Sequence, residues 1–118
     1  SEHDRTVKGA NLLILGITFK ENISDTRNSP AMRVAELLAQ KGALVSYSDT
    51  NVPNVEINGE LLYNVELTPN SLQAYDGAIL LVAHSDLDVA FVANNAKLVI
   101  DTKNATARLG PRPNVIRV

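Results

Sequence analysis

The stretch Asn11-Leu12-Leu13-Ile14-Leu15-Gly16-Ile17 decides the fold. It is short, continuously apolar and broken by glycine near its end, the pattern of a strand covered on both faces. A strand with one wet face would alternate apolar and polar residues instead. Working outward, a polar loop leads to Ser29-Pro30, which opens a helix. Serine is a preferred N-cap, and proline at the first helical position sacrifices no hydrogen bond. Ala31, Val34, Ala35 and Leu38 recur at helical spacing, Leu37 widens the stripe, and Arg33, Glu36 and Gln40 lie elsewhere on the wheel. Gly42 supplies the stop. Ala43-Leu44-Val45-Ser46-Tyr47-Ser48 then reads as a second strand with Asp49 at its exit.

The alternation continues to the end of the chain. Asn58-Gly59, between Val55-Glu56-Ile57 and Leu61-Leu62-Tyr63, carries a hairpin-type turn signal, although a plain loop would also fit. Thr68-Pro69 repeats the cap-then-proline device before a short helix through Ala74. Gly77-Ala78-Ile79-Leu80-Leu81-Val82-Ala83 is the clearest central strand. Asp86 is read as the cap of a helix through about Val92, and Leu98-Val99-Ile100-Asp101 is another strand. The tail from Thr102 is loop-like and basic, with room for an edge strand at Val115-Ile116. Four strands interleaved with three helices predict right-handed crossovers and a mainly parallel sheet in a three-layer α/β domain. Neither an internal repeat nor a domain boundary is visible.

Composition bounds what this domain can do. A length of 118 residues suits one domain, and 45% apolar with 20% charged residues sustains a packed core. The chain has no Cys, which excludes disulfides, thiolate metal sites and a cysteine nucleophile within these residues. No apolar run approaches membrane-spanning length, and the polar start Ser1-Glu2-His3-Asp4-Arg5 is not a signal peptide. The absence of an initiator Met is expected of a piece cut from a longer protein. A net charge of -2 argues against general nucleic-acid binding, which wants a basic footprint. Yet Lys97, Lys103, Arg108, Arg112 and Arg117 face only one acid, Asp101, in the last stretch, so a local anion partner stays open.

Ligands of open parallel sheets bind beyond the carboxyl ends of the strands, and three polar groups fall there. After the first strand come Gly16-Ile17-Thr18-Phe19-Lys20 and Asp25-Thr26-Arg27-Asn28-Ser29-Pro30. Gly16 permits a sharp turn or a close ligand approach. Lys20 offers a point charge for phosphate, Arg27 a planar fork, and Ser29 starts a helix whose free N–H groups favour an anion. The plainer reading leaves Lys20 and Arg27 as solvated charges paired with Glu21 and Asp25. The segment is neither G-x-G-x-x-G nor a P-loop. His84 is a possible general base, or a loop histidine bonded to Asp86 or to backbone. Asp49 sits where ribose-binding acids occur, and is equally an ordinary strand-exit turn residue. Asp101 and Lys103 would adjoin the first loop if their strand neighbours the first one. A complete small enzyme built on His84 with Asp86 has no nucleophile or metal set to complete it.

Together, the G-x-x-F-K segment, the D-x-R-x-S-P segment, Asp49, His84-Ser85 and Asp101-Thr102-Lys103-Asn104 resemble the C-terminal domain of the UDP-glucose/GDP-mannose dehydrogenase family. The resemblance covers nearly the whole chain from Val7. It implies a Rossmann-like fold holding the UDP part of a UDP-sugar, within an enzyme that oxidises the sugar's C6 alcohol to a carboxylate with NAD. By position, Phe19 and Lys20 match contacts to the sugar and diphosphate. Lys103 stands where many members place a phosphate- or sugar-binding Arg, keeping the charge but losing the fork. Arg27 matches an arginine on the NAD side of the cleft. Short stretches around His84 and Asp101 look most like UDP-N-acetylglucosamine 6-dehydrogenases. The resemblance further implies an N-terminal NAD domain and a central helical domain as partners, a homo-oligomer when intact, a cytoplasmic setting, and no activity in these residues alone. The competing class is a non-enzymatic α/β ligand-binding or regulatory module. A receiver-like version would need acids clustered after the first strand, where Gly16-Ile17-Thr18 stands instead.

Overall fold

A computed structural model describes residues 7–118; the polar start Ser1–Arg5 lies outside the described residues. The elements in order are β1 (Asn11–Leu15), α1 (Pro30–Gln40), β2 (Leu44–Ser48), β3 (Asn54–Ile57), β4 (Glu60–Tyr63), α2 (Pro69–Gln73), β5 (Gly77–Leu80), α3 (Val89–Asn95), β6 (Val99–Asp101) and β7 (Val115–Arg117). A 3-10 turn at Ala107–Leu109 precedes β7. Five strands form one sheet in the order β2-β1-β5-β6-β7. Every pair in it is parallel.

The unbroken apolar run of β1 now has its explanation. Leu13 and Leu15 point into one core with Leu72 of α2 and Val92 of α3. Ile14 points into the opposite core with Ala31 and Ala35 of α1. Leu13, Ile14 and Leu15 are each at most 1% exposed, so both faces of the strand are covered over these three positions. Helices on both faces make the domain three-layered, as the alternation predicts.

The β3–β4 hairpin stands apart from the main sheet as an antiparallel pair. Asn58 and Gly59 both adopt positive φ, 51° and 82°, as a two-residue hairpin turn requires. Thr68 caps α2 in a reciprocal capping box with Ser71. Two expectations are corrected. The cap of α3 is Asp88, whose carboxylate accepts from the Phe91 N–H at 3.0 Å, whereas Asp86 accepts from the Thr50 hydroxyl. And β6 does not adjoin β1, because β5 lies between them. Lys103 is therefore carried two strands away from the first loop.

Candidate functional site at the carboxyl edge of the sheet

The chain leaves β1 for β2 on one side and later returns to β5 on the other. The strand order thus reverses between β1 and β5, the place where open α/β sheets leave a crevice. Gly16 stands at this point with φ +84°, and a Cβ built there would lie 2.3 Å from the Val82 carbonyl oxygen. Its missing side chain lets two strand exits touch. The glycine serves close backbone approach, but the partner is Val82 and not a pyrophosphate.

From Gly16 the loop is held by buried polar groups. The Ile17 N–H donates to Asp49 Oδ2 at 2.9 Å, and His84 Nε2 lies 2.8 Å from the same oxygen. The Asn22 N–H donates to His84 Nδ1 at 2.8 Å. A backbone N–H can only donate, so Nδ1 is an acceptor and the proton of the neutral ring sits on Nε2, facing the carboxylate. Asp49 Oδ1 also accepts the Asn51 N–H at 2.9 Å. Asp49 is 3% and His84 7% exposed. These bonds decide between the alternatives left open for two residues. His84 is a loop histidine bonded to backbone, as one alternative had it, but its carboxylate partner is Asp49 and not Asp86, and the Asn22 bond leaves Nδ1 no lone pair for a general base. Asp49 accepts three bonds from the protein while 3% exposed, which makes it first a structural acid and leaves little of it for a ribose.

The candidate binding residues fare differently from one another. Phe19 is 51% exposed, and its N–H donates to the Asp25 carbonyl at 2.7 Å, pinching the loop. Phe19, Asp25, Arg27 and Asn28 line one open hollow of about 310 Å³. Lys20 follows Phe19, is exposed, and has no ion pair among the described residues, Glu21 included. Arg27 does pair with Asp25. Its Nε and Nη2 donate to the two carboxylate oxygens at 3.1 Å each, while its side chain is 87% exposed. Hydrogen bonds from Arg27, side chain before backbone, hold the Asp25 carboxyl below the usual carboxylate range, and the Asp25 carboxylate raises Arg27. Ser29 caps α1, its hydroxyl lying 2.9 Å from the Ile17 and Thr18 carbonyls and 3.3 Å from the Met32 N–H. Lys103 is exposed at the end of β6 and borders neither hollow.

A second cleft, of about 410 Å³, lies between the exits of β1, β2 and β5. Val65, Leu67, Leu87 and Phe91 contribute apolar lining, Glu66 and Asp86 carboxylates, and no Lys or Arg takes part. Coulomb repulsion makes it a poor receptacle for a diphosphate. The exposed cations Lys20 and Arg27 lie instead on the Phe19–Asn28 side. Among the described residues no group of three or more His, Cys, Asp or Glu is set to hold a metal.

The sequence missed Asn22 and Asn51. Asn22 exchanges bonds with Ser85, its amide donating to the hydroxyl at 2.8 Å and its oxygen accepting the Ser85 N–H at 2.9 Å. Asn51 Nδ2 donates to the Ile23 carbonyl at 3.1 Å. The only sequence signal was residue type: Asn tolerates positive φ, and Asn22 sits at 62°.

An all-parallel sheet with its polar loops gathered at a switch point defines a Rossmann-like ligand-binding domain. Residues 13–108 match the family described as "UDP-glucose/GDP-mannose dehydrogenase family, UDP binding domain", and the chain belongs to that family. It is 38% identical over 92 residues to UDP-N-acetyl-D-glucosamine 6-dehydrogenase of Pseudomonas aeruginosa, covering 78% of this chain and 22% of that protein. It is 29% identical over 102 residues to UDP-N-acetyl-D-mannosamine dehydrogenase of Escherichia coli, covering 85% and 24%. The fold is similar to that of a UDP-D-ManNAc dehydrogenase from Pyrococcus horikoshii, with TM-score 0.68, 20% identity, and coverage of 93% and 25%. The chain thus spans about a quarter of the length of each.

Proposed function

We propose that these residues form the UDP-sugar-binding domain of an NAD-dependent nucleotide-sugar 6-dehydrogenase, oxidising the C6 alcohol of a UDP-hexose to a uronate. The observation that carries this is the family match over residues 13–108, which spans the loop bearing an exposed, unpaired Lys20. In this reading Lys20 is a point charge on the diphosphate and Phe19 a contact to the sugar. Arg27, pre-oriented by Asp25 with Nη1 left for a ligand, faces the cofactor side. Lys103 supplies a more distant charge to the substrate. Similarity to the Pseudomonas aeruginosa protein favours UDP-N-acetylglucosamine as the sugar nucleotide, with UDP-glucose as the second candidate.

The residues present do not fit NAD. The turn glycine is filled by Val82, the acid after β2 is buried and bonded to Ile17, Asn51 and His84, and the start of α1 is capped by its own serine. The cofactor belongs to an N-terminal domain in this reading, with a central helical domain between, in a cytoplasmic homo-oligomer. The 118 residues alone should reduce no NAD with any UDP-sugar. Absorbance growth at the reduced-nicotinamide band would overturn that.

The decisive test is Lys20→Ala in the longer enzyme. Loss of one charge-assisted hydrogen bond, roughly 1.4 kcal/mol or more, should lower kcat/KM for the UDP-sugar by about tenfold or more. An unchanged kcat/KM would remove Lys20 from the site.

A further inference from the structure

We propose that His84, braced by Asp49, is a positioning residue that sets the separation of the two ends of the segment presenting Phe19 and Lys20. The proposal rests on the reading of those two residues as substrate contacts. The geometry behind it is a continuous buried strut. It begins at the Ile17 N–H, passes through Asp49 Oδ2 at 2.9 Å, crosses to His84 Nε2 at 2.8 Å, and leaves from Nδ1 to the Asn22 N–H at 2.8 Å. Ile17 and Asn22 are the residues immediately outside Thr18–Glu21. Within the bracket, the Thr18 hydroxyl donates to the Lys20 carbonyl at 2.7 Å, so the backbone at Lys20 is held from inside as well. Asn22 is then locked to Ser85, the residue next to the histidine.

A histidine that merely filled space would meet apolar neighbours or the backbone of its own strand. This ring connects three strand exits. Asp49 ends β2, His84 follows β5, and both hydrogen-bonding arms end on the loop that leaves β1. The imidazole also has a chemical quality that few side chains match here: one edge accepts while the opposite edge donates, in a rigid plane. Asn can reproduce the accepting side near Nδ1, and Gln the donating side near Nε2, but neither does both. Exposed charges on a loop lose binding strength when their backbone wanders, since ordering it again costs free energy on each encounter.

The test has two arms. In the 118-residue chain, 15N spectra should show His84 Nδ1 as a bare acceptor with Nε2 protonated, and the Asn22 amide should exchange as slowly as the amides of β1. An Asn22 amide that exchanges at once while β1 stays protected would end the proposal, whatever the function. In the longer enzyme, Lys20→Ala provides the benchmark. His84→Gln, which loses the acceptor, should raise KM for the UDP-sugar about tenfold with kcat within a factor of two or so. His84→Asn, which keeps the acceptor but loses the link to Asp49, should raise KM likewise. KM values unchanged in both variants would overturn the strut as a positioning device. An inert Lys20→Ala would instead indict the substrate reading, leaving the exchange measurement to judge the strut.

Discussion

Gly16 is the residue on which the site's shape turns. Any side chain there meets the Val82 carbonyl at 2.3 Å in a backbone conformation that L-residues avoid. Gly16→Ala should therefore destabilise the domain by roughly 2–4 kcal/mol, the sum of left-handed strain and overpacking. Denaturant unfolding would check it, and a loss under about 0.5 kcal/mol would mean the two strand exits can part freely. The sequence revealed that a glycine was wanted here, because a turn or close approach needs one. It did not reveal what approached, since Val82 is distant in the chain. The same holds for Asp49 and His84. Each residue type was legible as a strand-exit polar group, but their partnership spans 35 positions and obeys no spacing rule.

At the level of elements, local rules sufficed. Ser29-Pro30 and Thr68-Pro69 start helices in the way their chemistry dictates, and Asn58-Gly59 turns the hairpin. Ser29→Ala should cost about 1–2 kcal/mol, the usual value of an N-cap, with the Thr18 carbonyl also losing its donor. A melting temperature unaffected by this change would show the cap to be redundant. The hairpin is further tied to α1, because Asn58 Nδ2 donates to the Glu36 carbonyl at 3.0 Å. Competition between two aspartates misled the assignment at α3. Both Asp86 and Asp88 are suitable caps, and the Thr50 hydroxyl, invisible at sequence range, claims the first.

For the whole molecule, two buried groups contribute to the pH dependence of stability. Burial, then the nearby charge of Asp49, pushes the Tyr47 hydroxyl up to about 12. An acid whose folded pKa is raised contributes stability that is complete below the unfolded value, about 10, and lost as pH climbs toward 12. Asp101 behaves oppositely. Its burial would raise the pKa, but the Thr106 hydroxyl and N–H, with the Lys103 and Ala105 N–H groups, outweigh that and leave it lowered. Its contribution is present above the unfolded value near 4 and lost as pH falls further. Melting temperatures across pH should thus hold a plateau with an acid and an alkaline fall, and Tyr47→Phe should lessen the alkaline one. An alkaline limb identical in Tyr47→Phe would assign it to other groups.

Layering and parallel pairing followed from composition and alternation, whereas strand order did not, because nothing local says that β5 inserts between β1 and β6. That insertion governs how the chain can be made on a ribosome. When β1, α1 and β2 have emerged, β1 has one neighbour and an open flank that stays bare until residues 77–80 appear. The nascent domain therefore carries an unpaired, largely apolar strand edge through the synthesis of some thirty residues, the interval in which a chaperone, or a second nascent copy, finds its opportunity.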